Sequence, residues 1–274
     1  MDRTGIVAAL SDFVFRHNGN ILDADQHADE DSKRFYMRLV WSADGLALNR
    51  AGFVEELRLL AEKFQDSQWE LFFKQPKPRV AVLCGRTPHC LYDLLLRQKM
   101  NELEGEIVAV ISEYEALREV TEHFGLAFHF IPFAPGEIAK TEEKQLRLLR
   151  DYRIDLAVLA RYMRVLSPDF VAEWKNRMIN IHHSFLPAFA GARPYQQAKT
   201  RGVKIIGATA HYVTADLDQG PIIEQDVIRI SHRDTVDDMI RKGRDLERQV
   251  LAGAVRLHLE HRILVEANRT IIFA

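Results

Sequence analysis

Apolar residues recur along the chain with two periods that trade places. Ile6, Val7, Leu10, Phe13 and Val14 stand at helical spacing and predict a helix over 5–18, with Thr4 as its N-cap and Gly19 as its stop. Extended runs follow at 20–27 and 34–41, joined by the acidic, turn-forming residues 28–32. Phe53, Leu57, Leu60, Ala61 and Phe64 restore the helical period, and 69–73 reads as another strand. The order α-β-β-α-β predicts a ferredoxin-like unit with its opening strand missing.

The sequence Gln75-Pro76-Lys77-Pro78 predicts a stiff, extended spacer, which divides a first domain at 1–75 from a second at 79–274. Beyond it, apolar strands are predicted at 79–84, 107–111, 127–131, 155–160 and 178–182, with helices over 89–100, 113–124 and 138–152 between them. Strands this apolar, alternating with helices, specify a mostly parallel sheet covered on both faces, a Rossmann-like α/β fold. Ligands of such sheets sit beyond the carboxyl ends of the strands, where residues 160–166 and then Ser167-Pro168, a helix start, fall. Pro187 turns the chain, Gly191 permits a left-handed backbone, and Pro194 begins a helix to 200. The runs 204–213 and 221–230 predict an antiparallel pair, 235–261 a long closing helix, and 264–272 a strand or extended tail.

Within this frame a few residues carry candidate chemistry. Asn180 and His182 alternate with Ile179 and Ile181, so strand pleating sends both polar side chains to one side, an amide donor beside a titratable base. Such a pair polarises a carbonyl and moves a proton; it also describes an ordinary strand end with two satisfied polar residues. Asp218, in the loop between the antiparallel strands, supplies a carboxylate able to orient an imidazole. His183 and His211 stand nearby as secondary candidates. Arg161 and Arg164 read first as solvated arginines, Gly19, Asn20 and Asp23 as turn formers, and His89 with Cys90 as a packed helix start.

Composition narrows the classes. The chain has 274 residues, 47% hydrophobic and 28% charged, a normal globular balance for one large or two ordinary domains. A net charge of -2 gives no basic field for nucleic acid, and no apolar run approaches the length of a membrane span, so a cytoplasmic protein is expected. Two cysteines, Cys84 and Cys90, form neither a disulfide framework nor a zinc knuckle, and both read as reduced and structural.

Several stretches carry a resemblance. Asn180-Ile-His182 with Ser-Phe-Leu-Pro187, and Leu217-Asp-Gln-Gly220 before Pro-Ile-Ile, resemble the formyltransferase domain of enzymes that use 10-formyltetrahydrofolate. The longer string Asn-Ile-His-His-Ser-Phe-Leu-Pro-Ala-Phe, with Ala-Thr-Ala-His-Tyr-Val213, is similar to the formyltetrahydrofolate deformylase family over nearly the whole chain. Residues 2–7 and 19–26 resemble the start of an ACT domain, a module that commonly binds small amino acids and pairs through its sheet. The resemblance implies hydrolysis of 10-formyltetrahydrofolate to formate and tetrahydrofolate, feeding purine synthesis and balancing folate pools, without metal or redox cofactor. It implies Asn180, His182 and Asp218 as the catalytic set, and Met163, Arg164, Leu166, His183 and His211 around the substrate, with 163–166 offering backbone groups to the pterin and Arg161 and Arg164 available to the glutamate tail. His183 stands where related transferases commonly have proline, which ties it either to the hydrolytic variant or to packing. A homo-oligomer, dimer or tetramer, and an amino-acid effector follow from the ACT-like part.

Two other functions stay open: a folate-dependent formyltransferase with an amine acceptor, and a folate- or amino-acid-binding regulator without turnover. The first-strand loop, Cys84-Gly-Arg-Thr-Pro-His-Cys90, has a single glycine and a proline and makes a poor backbone cradle for a phosphorylated acceptor. A tRNA acceptor needs a basic surface that this composition lacks. Water is the acceptor left.

Overall fold

The computed structural model describes residues 3–45, 48–64, 67–134, 136–188 and 194–273. Gly191 lies outside the described residues. The chain falls into two compact units, Met1–Phe73 with Phe273–Ala274, and Lys74–Ile272.

The first unit contains α1 (Ile6–Arg16), β1 (Asn20–Asp29), β2 (Arg34–Ser42) and α2 (Arg50–Glu62). Strands β1 and β2 form an antiparallel pair, and Phe13, Val14, Phe53 and Leu57 bury the helices' apolar faces in a small core. Helix α1 is capped differently from expectation. Gly5, at φ 92, occupies the N-cap without a side-chain bond, so Thr4 is not the cap. At the other end Asn18 takes the left-handed turn (φ 58), and a Cβ on Gly19 would meet Val14 Cγ1 at 2.6 Å. Asn20 and Asp23 are strand residues rather than turn formers, and Asp23 accepts a bond from Arg38 Nη1 at 2.7 Å. The expected strand at 69–73 is neither helix nor strand. In a ferredoxin-like sheet the last strand pairs with the first, and no strand precedes α1 among the described residues to supply that ladder.

The second unit is built on a seven-stranded sheet whose parallel part alternates with helices. In chain order it runs β3 (Arg79–Cys84), α3 (His89–Lys99), β4 (Glu106–Ser112), α4 (Arg118–His123), β5 (Ala127–Phe130), α5 (Ile138–Asp151), β6 (Leu156–Ala160), α6 (Pro168–Glu173), β7 (Met178–His182), α7 (Pro194–Arg201), β8 (Ile205–Tyr212), β9 (Ile222–Arg229), α8 (Val236–Leu259), β10 (Ile263–Glu266) and β11 (Arg269–Ile272). The strand order is 5-4-3-6-7-8-9. Strands β5, β4, β3, β6 and β7 are parallel, while β8 and β9 are antiparallel additions. The order reverses at β3, so the carboxyl ends of β3 and β6 form the switch point where such sheets bind ligands. The last residues form a β10–β11 hairpin in place of a single extended tail.

The buried strands separate two cores by parity. Val82, Val158, Ile179, Ile181 and Ala210 face α3 and α8, and Ala81, Leu83, Ala157, Leu159 and Met178 face α5 and α6. Asn180 and His182 share the parity of Met178 and therefore the second face. Helix α8 starts with a capping box between Thr235 and Asp238, with Asp237 and Asp238 in the positive first turn. It buries Leu246, Val250, Leu251 and Val255 on the first face.

Because Leu251 is fully buried between α8 and the sheet, Leu251→Ala is expected to lower the unfolding free energy by about 2–5 kcal/mol. Leu96→Ala, at a half-exposed position on α3, should change it by less than about 0.5 kcal/mol. Urea unfolding of both variants checks the assignment of α8 to the core.

Candidate active site

Pairing of β7 with β8 sets the first two groups. Asn180 stands directly opposite His211, and His182 opposite Thr209. Side chains opposite each other in an antiparallel pair share a face, which brings Asn180 Nδ2 to 3.3 Å from His211 Nε2. His211 Nδ1 lies 2.8 Å from the carbonyl of Tyr212, which only accepts, so Nδ1 carries the proton and Nε2 accepts from Asn180. That contact fixes the orientation of the Asn180 amide and uses one of its two hydrogens; the other remains to donate to a carbonyl oxygen.

The loop between β8 and β9 folds back over this face. Its return is tight: a Cβ on Gly220 would meet the Tyr212 carbonyl at 1.7 Å, and Tyr212 N donates to Pro221 O at 2.9 Å. Asp218, with φ 56, turns its carboxylate onto the strand, placing Oδ1 3.2 Å from His182 Nδ1 and 3.8 Å from His211 Nε2. The His211 ring and then the His182 ring hold the Asp218 carboxyl below its ordinary value, against partial burial. Burial lowers His182, helped by His211 and Arg161, and the Asp218 charge opposes this without reversing it. Near neutrality the pair is therefore a carboxylate and a neutral imidazole whose Nδ1–H points at Asp218. His182 Nε2 is buried with no hydrogen-bond partner among the described residues, a bare acceptor facing the site.

After His182 the chain turns at 183–188. Thr209 Oγ1 donates to Ser184 O and accepts from Leu186 N and Gln225 Nε2, which secures the turn. His183 stacks on His182 with centroids 5.0 Å apart, and Tyr195 lies 6.1 Å beyond it. Burial first, then Arg161 and His182, push His183 down to about 4.

The β6–α6 loop forms the neighbouring wall. Arg161 and Met163 both have left-handed backbones (φ 56 and 60). Ser167 caps α6 through Phe170 N, and its own amide donates to Glu142 of α5. Gln145 donates to Tyr162 Oη at 2.6 Å. The resulting groove is lined by Phe133, Ile138, Glu142, Tyr162, Val165 and Leu166. Leu166 is packed, while Met163 stays exposed at the mouth. Arg164 makes a two-pronged ion pair with Glu113 and stacks 4.0 Å over Phe133, so its guanidinium is already engaged as part of the groove wall. The structure thus separates the candidates into a candidate reacting group, Asn180, His182, Asp218, His211 and His183, around β7 and β8, and a groove group, Met163, Arg164 and Leu166, in the loop after the adjacent strand β6.

Glu247 is the residue that sequence reasoning missed. It is buried in the middle of α8, accepts from Tyr195 Oη at 2.9 Å, pairs with His89 Nε2 at 2.8 Å and lies 3.6 Å from Arg161 Nε. Burial opposes its charge, yet His89, Arg161 and Tyr195 hold it below the ordinary carboxylate value. Arg161 is accordingly not a solvated surface arginine, and His89 does more than pack. The only sequence signal was one acid on the apolar stripe of α8. Ligand-type atoms of His89, Cys90 and Glu247 lie within 4.8 Å of one another. They fit a metal poorly: burial pushes the Cys90 thiol up, and the Arg161 guanidinium adjoins Glu247.

Residues 78–255 match the formyl transferase family model. The chain is 52% identical over 273 residues to a formyltetrahydrofolate deformylase of Synechocystis, covering 100% of this chain and 95% of that protein. It superposes on the crystal structure of a Pseudomonas syringae formyltetrahydrofolate deformylase with a TM-score of 0.96 and 46% identity, covering 100% of this chain and 91% of that one. A Symbiobacterium toebii glycinamide ribonucleotide transformylase matches at a TM-score of 0.70 and 31% identity, over 76% of this chain and 100% of its own.

A pH titration followed by NMR checks the electrostatics. His182 is expected to titrate below 6.5 and His183 near 4. Asp218→Asn removes the charge that raises His182, so its midpoint should move lower still; an upward move would contradict the arrangement.

Proposed function

The chain belongs to the formyl transferase family as a formyltetrahydrofolate deformylase, and we propose that Asn180, His182 and Asp218 carry its hydrolysis of 10-formyltetrahydrofolate. The observation behind this reading is the bare, buried Nε2 of His182, whose other nitrogen is held by Asp218. The formyl oxygen takes the free Asn180 hydrogen. Water attacks the formyl carbon as His182 Nε2 removes its proton. Charge builds on the carbonyl oxygen, where a preorganised donor contributes about 3–4 kcal/mol, and Asp218 stabilises the imidazolium that forms. Collapse breaks the bond to N10, and His182 returns the proton to that nitrogen. Tetrahydrofolate and formate leave.

As the resemblance implies, we place the pterin against the backbone of 163–166, beside Phe133, Tyr162 and Leu166. Water as acceptor agrees with the loop after β3. Its one glycine, Gly85, is filled by the Arg161 carbonyl, which a Cβ would meet at 1.8 Å, and His89 is committed to Glu247, so little backbone is free to cradle a phosphate. We assign the ACT-like residues 1–75 a regulatory or oligomer-forming role in a dimer or tetramer, with a small amino acid as effector. We assign the enzyme a cytoplasmic location by its likeness to the bacterial deformylases.

Purified protein given 10-formyltetrahydrofolate and no amine should release formate. His182→Ala and Asp218→Asn should each reduce kcat by about 10²–10⁴, and Asn180→Ala by about 10²–10³, with far-UV spectra unchanged. Turnover that appears only with an added amine would contradict the hydrolytic assignment.

A further inference from the structure

Glu247, on α8, stands on the opposite side of the sheet from the Asn180–His182 face, and the proposed chemistry leaves it without a task. Taking a carboxylate out of water costs several kcal/mol. Helix α8 does not need one to pack, because Leu246, Val250 and Leu251 already fill the sheet side. The surroundings are nevertheless shaped to keep it. Gly243 lies one turn earlier on α8, and a Cβ there would fall 2.0 Å from Tyr195 Oη. A glycine inside a helix costs about 1 kcal/mol relative to alanine, and here it makes the space through which Tyr195 reaches Glu247.

The cluster leads back to the reacting group through rings. Glu247 holds Tyr195 and adjoins Arg161; Tyr195 faces His183; His183 stacks on His182 at an interplanar angle of 26°. His183 is the residue after the end of β7, so the chain there passes from the His182 face to the α8 face. Its ring nitrogens have no hydrogen-bond partner among the described residues, and the ring is only half-buried. The two rings stack with centroids 5.0 Å apart, close enough for one water hydrogen-bonded at their edges to bridge them.

We propose that Glu247 is a positioning residue for His183, acting through Tyr195 and Arg161, and that His183 accepts a hydrogen bond from the attacking water and holds it against His182 Nε2. The proposal rests on the deformylase reading. In the step, the water oxygen bonds to the formyl carbon while one water proton passes to His182 Nε2 and the carbonyl pair moves to oxygen. Collapse breaks the bond to N10, which receives that proton from His182. His183 neither gains nor loses a proton overall, and the formic acid releases its remaining proton to solvent. The charged and titratable groups facing His183 are His182, Asp218, Arg161, Glu247 and Tyr195. Burial and Arg161 keep its ring neutral, and hence an acceptor, throughout the neutral range.

The test is a double-mutant cycle in the full-length protein, read as formate release from 10-formyltetrahydrofolate. Tyr195→Phe removes one hydroxyl and no charge, and should cut kcat about ten- to a hundredfold while KM stays within about twofold. His183→Gln should do the same. In the double variant the losses should not multiply, because the tyrosine acts through the histidine. Glu247→Gln, measured alongside with thermal melting of every variant, should lower kcat in the same direction and keeps the test valid if Tyr195→Phe folds poorly. Tyr195→Phe and Glu247→Gln both turning over at the parental rate, losses that multiply, or a loss confined to KM would overturn the positioning role while leaving the deformylase reading intact. A parent protein that releases no formate would remove both.

Discussion

The contact between Asp218 and His182 is the constraint on which the rest of the site depends. A neutral imidazole has one proton and two nitrogens, and the carboxylate 3.2 Å from Nδ1 decides which nitrogen keeps it. Everything upstream serves that placement. Strand β7 ends on His182, β8 runs back alongside it, and the following loop needs Gly220 against the Tyr212 carbonyl and a left-handed Asp218 to bring the carboxylate down. Strain of that kind is held only where the surrounding structure over-determines it.

Sheet topology supplies the second requirement. A purely parallel sheet would place a helix over the face that Asn180 and His182 occupy. Here β8 and β9 join antiparallel, so the connection between them is a loop, and that face receives Asp218 and His211 in place of apolar side chains. The cross-strand pair Asn180–His211 then orients the amide, which an isolated strand end would leave free to rotate. On the other side of the carboxyl edge, Glu247, Tyr195, Arg161 and His89 form a buried polar cluster whose link to the reacting group is His183.

Most of the α/β unit was legible because its signals are local. Apolar runs of strand length alternate with helical stripes, and the strand 178–182 coincides with β7. The polar pair Asn180 and His182 was readable from parity alone, and Asp218 from its place in a hairpin loop. What escaped reading depends on partners distant in sequence. The segment 69–73 has strand composition, but a strand exists only with a ladder, and composition cannot show whether one is available. Arg161 looked like a surface residue because its burial comes from a helix 86 positions away, at Glu247. Glu247 itself read as a stray acid, since periodicity reports which face a residue occupies and not what meets it there. His211 stood out less for the same reason: its contact with Asn180 depends on register, which pairing fixes and sequence order does not.

The most direct measurement is the tautomer of His182 in the resting enzyme, by ¹⁵N NMR of histidine-labelled protein near pH 7. A protonated Nδ1 with a bare Nε2 is expected, since that arrangement makes His182 the base for water. An Nε2–H tautomer, or an imidazolium at that pH, would contradict the role assigned to the Asp218–His182 contact.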